Sequence, residues 1–372
     1  MNRMKILAIE TSCDETAASV VRNGTEILSN VIVSSSAMHE KYGGIVPEVA
    51  AREQLTCIIP VIDEALQCIK PTEVSSRKYI EGEIDAIAVT VGPGLIGSLL
   101  VGVETAKTIA FVTKKPIIPV NHVLAHMFAN FLSSSKKNLS RSQSRDNKIS
   151  FPAISLVVSG GHTELYIMTS YKNLRWLGGT LDDAAGECFD KSARLLGFGS
   201  RGGLAIQEAA SQYRISNLPT GLVGVKYQIK LPRPMIGDST YNFSFSGLKT
   251  AILREVNRLK GTKQFNNRTI QQLSFEVQEA ITDVLVKKTL LAAKNHHAKS
   301  VLLSGGVAAN LRLREKFNQQ LTTTNIQLFV PPVHLCTDNA AYIASYAFFR
   351  GKPSNWHNVT ALPDITVEVG KE

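Results

Sequence analysis

The sequence predicts an α/β protein made of two lobes, and three observations carry that expectation. At 372 residues the chain is longer than one hydrophobic core ordinarily serves. A plan of strand, small polar turn and strand occurs once at the N-terminus and again beyond residue 150. Between the two, apolar runs of strand length alternate with longer stretches of helical period. Apolar residues at 44% and charged residues at 19% are globular values, which exclude a disordered tail or a fibre.

Taken in order, 6–10 is an apolar run, 11–16 a polar turn and 17–21 a second apolar run, together a β-hairpin. Helical period follows over 48–68, then a strand over 86–91 (AIAVTV), a helix over 97–111 and a strand over 116–120 (PIIPV). The hairpin plan returns at 154–158, Ser159-Gly160-Gly161-His162 and 164–168, which is a weak internal duplication. The second half is more helical, with 269–294 its longest amphipathic run. The stretch 86–103 is uncharged, but Pro93 and four glycines break it, so no membrane span is expected. After the basic start only four apolar residues run up to Glu10, too few for a signal-peptide core, and secretion is not expected. The five cysteines, Cys13, Cys57, Cys68, Cys188 and Cys336, form no CxxC and are odd in number, which predicts reduced thiols and excludes a disulfide scaffold.

Lys plus Arg outnumber Asp plus Glu by 41 to 31, a net charge of +10 that suits a polyanionic partner as well as plain solubility. Part of the excess sits in the low-complexity run 133–148, which reads as a solvated, flexible loop and as the lobe boundary.

Several clusters point to chemistry. Gly92-Pro93-Gly94-Leu95-Ile96-Gly97 matches GxGxxG, but the next strand ends at Val120-Asn121-His122 without an acid for a ribose, and no GK[ST] follows. These glycines therefore read as a tight strand-to-helix turn. Val158-Ser159-Gly160-Gly161-His162 and Leu303-Ser304-Gly305-Gly306-Val307 are better phosphate candidates, because paired glycines after a strand let N–H groups converge on an anion. As a pair they suggest a nucleotide site split between the lobes. His122 and His126 stand at i and i+4 on a helix that Asn121 can cap, a spacing that suits two ligands of one metal ion. The zincin glutamate is replaced by Val123, so a metalloprotease lacks its base. Asp338, in a polar cluster that interrupts an apolar segment, is the candidate third ligand. Asp182, Asp183, Glu187 and Asp190 put four carboxylates into nine residues, either as acids at a helix N-terminus or with Asp190 accepting from ligand hydroxyls.

In this order the blocks IETSCDET (9–16), YGGIVPE (42–48), GPGLIGSLLVG (92–102), HVLAH (122–126), VSGGHTEL (158–165), DDAAGECFDK (182–191), FSFSGLKT (243–250), SGGVAAN (304–310) and CTDNAAY (336–342) resemble the universal tRNA threonylcarbamoyladenosine transferase family. The resemblance spans about 6–345 and departs from the common pattern at Asn121 and at 200–204. It implies an actin, sugar-kinase and heat-shock-ATPase-like (ASKHA) fold with a nucleotide cleft between the lobes. The implied organisation is an N-terminal α/β lobe with the metal-binding helix over 1–132, a flexible basic loop over 133–149, a second α/β lobe with the nucleotide-binding turns over 150–335, and a C-terminal segment, 336–372, returning to the cleft and first lobe.

The activity the resemblance implies is transfer of a threonylcarbamoyl group from threonylcarbamoyl-adenylate to N6 of the adenosine 3′ of the anticodon in tRNAs reading ANN codons. Carried over by position, His122, His126 and Asp338 match metal ligands for one divalent ion per subunit, Fe2+ or Zn2+. Val157, Val158, Ser159, Gly160, Gly161, Asp190, Gly203 and Asn310 match adenylate-binding positions. Asp14 and Glu15, in the first hairpin turn, are candidates to orient or deprotonate the attacking amine. The implied partners are tRNA and, in a bacterium, a paralogous pseudo-enzyme subunit and a small ATPase; a homodimer is the other arrangement, and no membrane is implied. A bacterial cytoplasm is expected, with a mitochondrial matrix as the alternative. The competing readings are an ATP-dependent small-molecule kinase of the same fold and a nucleotide-gated scaffold in a tRNA-modifying complex.

Overall fold

The first strand, β1 (Lys5–Glu10), is buried on both faces and sits at the centre of its sheet. The computed structural model describes residues 4–39, 42, 44–134, 148–199, 202–216, 229–262 and 264–366. Most of the basic run 133–149, expected to be a flexible loop, lies outside the described residues, as do 200 and 201. In chain order the first elements are β2 (Glu15–Arg22), β3 (Glu26–Ser34), α1 (Ser36–His39), α2 (Pro47–Gln67), α3 (Ser76–Glu83), β4 (Ala86–Gly92), α4 (Ile96–Thr113), β5 (Ile117–Asn121), α5 (His122–His126) and β6 (Ser133–Ser134). Then come β7 (Ala153–Val158), β8 (Thr163–Met168), β9 (Leu174–Gly179), α6 (Ala185–Leu195), α7 (Gly202–Ser216), α8 (Ser246–Leu259), α9 (Asn267–Asn295), β10 (Ser300–Ser304), α10 (Leu311–Leu321), β11 (Gln327–Phe329) and α11 (Ala340–Arg350).

Two compact units result. One comprises Met1–Ser150, Thr169–Leu174 and Pro331–Glu372, and the other Phe151–Met168 with Arg175–Val330. The first sheet runs β5-β4-β1-β2-β3-β6 and the second β11-β10-β7-β8-β9. In each, a central strand (β1 or β7) pairs antiparallel with its hairpin partner on one side and parallel with a later strand (β4 or β10) on the other. The duplication legible in the two hairpins thus extends to strand order.

Both faces of β1 are covered, which is why its sequence is continuously apolar. Leu7 and Ile9 pack with Ile58, Val61 and Ile62 of α2 and Leu99 and Val103 of α4. Ile6 and Ala8, on the other face, pack with Ala340, Ile343, Ala344 and Ala347 of α11. Alternation along one strand therefore sets α2 and α4 on one side and the C-terminal helix on the other. Helix α4 has the length and apolar composition of a membrane span, but Leu99, Val103, Ala106 and Ala110 belong to this core.

In the second unit β7 and β10 are buried throughout. Helix α9 is held to α10 by ions as well as apolar contacts. The Arg312 guanidinium meets both Glu279 oxygens at 2.6 and 3.0 Å, and the Lys316 ammonium lies 3.0 Å from Glu279.

Candidate functional site

The β1–β2 turn is built from backbone carbonyls that neighbouring elements bind. Gln54 Nε2 of α2 donates to the carbonyls of Cys13 and Glu15, each at 3.0 Å, and Ser98 Oγ of α4 donates to that of Cys13 at 3.1 Å. Leu95 N–H donates to Ser12 O at 2.8 Å and Ser35 N–H to Asp14 O at 3.0 Å. The glycine turn after β4 makes this approach possible: a Cβ on Gly94 would stand 2.4 Å from Ser12 O. The GxGxxG match is thus a packing device against the first hairpin.

At the carboxyl end of β5, Asn121 caps α5 by accepting from Leu124 N–H at 3.0 Å, and the helix places His122 and His126 on one face as expected. Their rings are 4.7 Å apart. Asp338 arrives from the turn before α11, where Asn339 caps the helix. Its Oδ1 lies 3.7 Å from His122 Nε2 and 3.4 Å from His126 Nε2, and the ligand atoms of the three residues fall within 4.8 Å of one another. Donors bound about 2.1 Å from a tetrahedral metal stand roughly 3.4 Å apart, so the spacing fits a cation. A second observation agrees. His126 is 1% exposed, its Nδ1 has no hydrogen-bond partner, and its Nε2 has only the 3.4 Å approach to Asp338. A metal ion satisfies such a lone pair.

The electrostatics of the metal-free triad follow from burial of four ionisable groups together. Burial would lower the His122 imidazole, but Glu10 and Asp338 outweigh it and push it up to about 9. Burial lowers His126, and the neighbouring His122 adds to that. Burial would raise the Asp338 carboxyl, yet His122 and His126 hold it well below the carboxylate range. At neutral pH one proton on His122 therefore stands where a cation's charge would sit. Burial, then Asp338, then Asp14 push the Glu15 carboxyl up to about 10. The turn adjoins the triad directly, since Ser12 Oγ is 3.2 Å from His122 Nδ1.

Nothing in the residue pattern singles out Glu10, Tyr342 or Gln54. The Glu10 carboxylate is fully buried 3.0 Å from His122 Nδ1, and its only signal in sequence is an acid ending an otherwise apolar strand. The Tyr342 hydroxyl donates to Asp338 Oδ1 at 3.3 Å.

The expected adenylate positions all lie in the second unit. The turn Ser159–Gly161 is closed by Ser159 N–H to His162 O at 2.8 Å, and a Cβ on Gly160 or Gly161 would meet nothing within 4 Å. The Gly305–Gly306 turn follows β10, which pairs parallel with β7, so the two glycine turns are side by side at carboxyl ends of adjacent strands. Gly305 has φ +87° and comes so close that a Cβ would stand 2.4 Å from Val158 O. One sheet therefore supplies both turns. Asp190 faces the Gly203 and Gly202 N–H groups. Asn310 caps α10, accepting from Leu313 N–H at 3.0 Å and donating to Gln278 Oε1 at 3.0 Å. Of the clustered acids, Asp182 accepts from Ser244 Oγ, Phe245 N–H, Ser246 N–H and Ser246 Oγ at 2.6–3.2 Å, and so holds the start of α8. Asp183 pairs with Lys191 at 2.8 Å. Only Glu187 falls in the first turn of α6.

Residues 26–345 match the family model for TsaD, tRNA N6-adenosine threonylcarbamoyltransferase. Proteins bearing that name are similar over nearly the whole chain. One from Persephonella marina is 45% identical over 94% of this chain and 91% of its own. Another from Thermomicrobium roseum is 46% identical over 93% and 92%, and a third from Listeria innocua is 41% identical over 98% and 96%. Among solved structures, full-length HypF in a phosphate- and nucleotide-bound form aligns with a TM-score of 0.54 at 12% identity, covering 93% of this chain and 46% of that one. At that identity the likeness is one of fold.

Proposed function

The chain belongs to the tRNA N6-adenosine threonylcarbamoyltransferase family and is a transferase acting on tRNA; we propose that its donor is threonylcarbamoyl-adenylate and its acceptor the N6 amine of the adenosine 3′ of the anticodon in tRNAs reading ANN codons. The observation that carries the chemical reading is the His122–His126–Asp338 cluster, with both rings buried, Asp338 partly so, and their ligand atoms within 4.8 Å of one another. In the transfer the amine nitrogen bonds to the carbamoyl carbon, the carbon–oxygen bond to phosphate breaks, AMP leaves and the amine gives up a proton. Because a carbamate–phosphate anhydride has a good leaving group, positioning and charge stabilisation are the main tasks left to the protein.

His122, His126 and Asp338 would hold a divalent cation that would supply Lewis-acid polarisation, and two imidazoles with one carboxylate suit Fe2+ or Zn2+. Asp14 and Glu15 are held by their clamped carbonyls, and we assign them the orientation and deprotonation of the amine. Without a cation, burial, Asp338 and Asp14 keep the Glu15 carboxyl protonated at neutral pH. In the second unit, the open Gly160–Gly161 turn offers N–H groups to the phosphate, with Val157 and Val158 of β7 beneath it. Asp190, beside Gly203, accepts from ligand hydroxyls. Asn310, with both ends of its amide engaged, acts by fixing the turn that precedes α10. A paralogous pseudo-enzyme subunit with a small ATPase, or a second copy of the chain, is the proposed assembly.

The test is nucleoside mass spectrometry of an ANN-reading tRNA after incubation with the protein, threonylcarbamoyl-adenylate and Zn2+ or Fe2+. Threonylcarbamoyladenosine is expected with wild type and is expected to fall at least a hundredfold in His126→Ala, the scale of losing a metal's charge stabilisation, roughly several kcal/mol. Undiminished product in His126→Ala would remove the triad from the mechanism.

A further inference from the structure

We propose that Glu10 is the positioning carboxylate of the metal centre: it accepts the Nδ1–H of His122, turns Nε2 of that ring toward Asp338 and His126, and supplies the second negative charge that balances a divalent cation. The proposal rests on His122, His126 and Asp338 being metal ligands.

Three observations carry it. The contact is direct, with Glu10 Oε2 3.0 Å from His122 Nδ1, and the same ring's other nitrogen faces Asp338 at 3.7 Å. A carboxylate that takes the Nδ1 proton leaves the Nε2 lone pair for a metal and raises its basicity. The carboxylate is also immobilised. Thr90 Oγ1 of β4 donates to Oε2 at 2.6 Å, and Ser12 N–H donates to Oε1 at 2.5 Å. Finally, among the described residues the charge has a single ion-pair partner, the His122 ring itself, with no Lys or Arg beside it. Glu10 is 0% exposed. A buried charge is retained only when something balances it. Two neutral imidazoles, Asp338 and Glu10 sum to two negative charges, the complement of one divalent ion.

The two imidazoles are not equivalent in this respect. His126 Nδ1 is buried without a hydrogen-bond partner, so His122 is the ring whose aim the protein sets. Loss of Glu10 therefore falls on metal binding first. A carboxylate serving only to tie β1 to β4 through Thr90, and to the turn through Ser12, has no such effect.

The experiment compares full-length wild type, Glu10→Gln and Glu10→Asp for Co2+ and Zn2+ affinity by chelator competition and for the ligand-field absorption of bound Co2+. Glu10→Gln keeps the shape but not the charge; Glu10→Asp keeps the charge but withdraws it by one methylene. Both are expected to bind metal more weakly, Glu10→Gln by about 10- to 100-fold, with a shifted Co2+ spectrum. Affinity within twofold of wild type and an unchanged spectrum in Glu10→Gln would overturn the proposal. If Glu10→Gln does not fold, the same result in Glu10→Asp overturns it. Wild type that binds neither metal overturns the ligand reading itself, an outcome distinct from a variant that binds as well as wild type.

Discussion

Replacing Glu15 by glutamine tests whether the first hairpin turn holds a protonated carboxyl. Burial, Asp338 and Asp14 raise this group from its ordinary 4.5 to about 10 in the folded protein. The unfolded chain ionises it near 4.5, so between the two values the folded state holds a proton that the unfolded state has lost. The contribution to stability is full at acid pH and declines as pH rises toward 10, the reverse of a carboxylate in an ion pair. The ceiling is about 1.4 kcal/mol per pH unit. Glu15 keeps some contact with solvent and shares its proton with neighbouring acids, so about half that slope, or roughly 1.5 kcal/mol from pH 6 to pH 8, is the working figure. Glutamine has nothing to ionise. The melting temperature of Glu15→Gln minus that of wild type, measured by calorimetry on chelator-treated protein, should therefore grow by about 2 °C over that range. A difference that stays constant from pH 6 to pH 8, or shrinks, would refute the reasoning by showing Glu15 ionised throughout. Repeating the series with Zn2+ checks the second cause, because a cation opposing the field of Asp338 flattens the dependence.

Two further outcomes concern the second unit. Asp182→Ala removes the acceptor for two backbone and two hydroxyl donors at the start of α8, and urea unfolding should show a loss of about 1–2 kcal/mol, with Asp182→Asn recovering part of it. Gly305→Ala forces a Cβ to within 2.4 Å of Val158 O at φ +87°, and should cost at least about 1–3 kcal/mol by thermal unfolding and weaken binding of an adenine nucleotide; an unchanged melting temperature would show that the two glycine turns are free to separate.

What the sequence made legible was local. The hairpins at β1–β2 and β7–β8 show in short apolar runs around polar turns, and α5 shows because a cap residue and two histidines fall within six positions. Asp338 was visible as a polar interruption. What stayed hidden depends on partners far away in the chain. Glu10 meets His122 across 112 residues, and Asp182 reaches the start of α8 across 62–64 residues. No local pattern distinguishes such an acid from one that decorates a helix N-terminus. The adjacency of the two glycine turns was equally illegible, since it follows from β10 pairing with β7 and not from either turn. The end of the second unit falls at Val330, because the segment from Pro331 packs with the first.

That returning segment joins the chemistry of the first unit to its stability. Helix α11 covers the Ile6 and Ala8 face of β1 with Ala340, Ile343, Ala344 and Ala347, and the same helix turn delivers Asp338 to the histidines, held by Tyr342. Asp338 and one wall of the core are therefore carried by the same piece of chain. Without a cation, the buried Glu10 and the partly buried Asp338 carboxylates lie on either side of His122 and draw a proton onto it. A cation replaces that proton with a charge that serves both acids. Binding at a hundred times its dissociation constant would then stabilise the first unit by about 2.7 kcal/mol through mass action alone. A cation at this site would take part in the closure of this unit as well as in its reaction, and would make a carboxylate as costly to bury as Glu10 tolerable at the centre of a sheet.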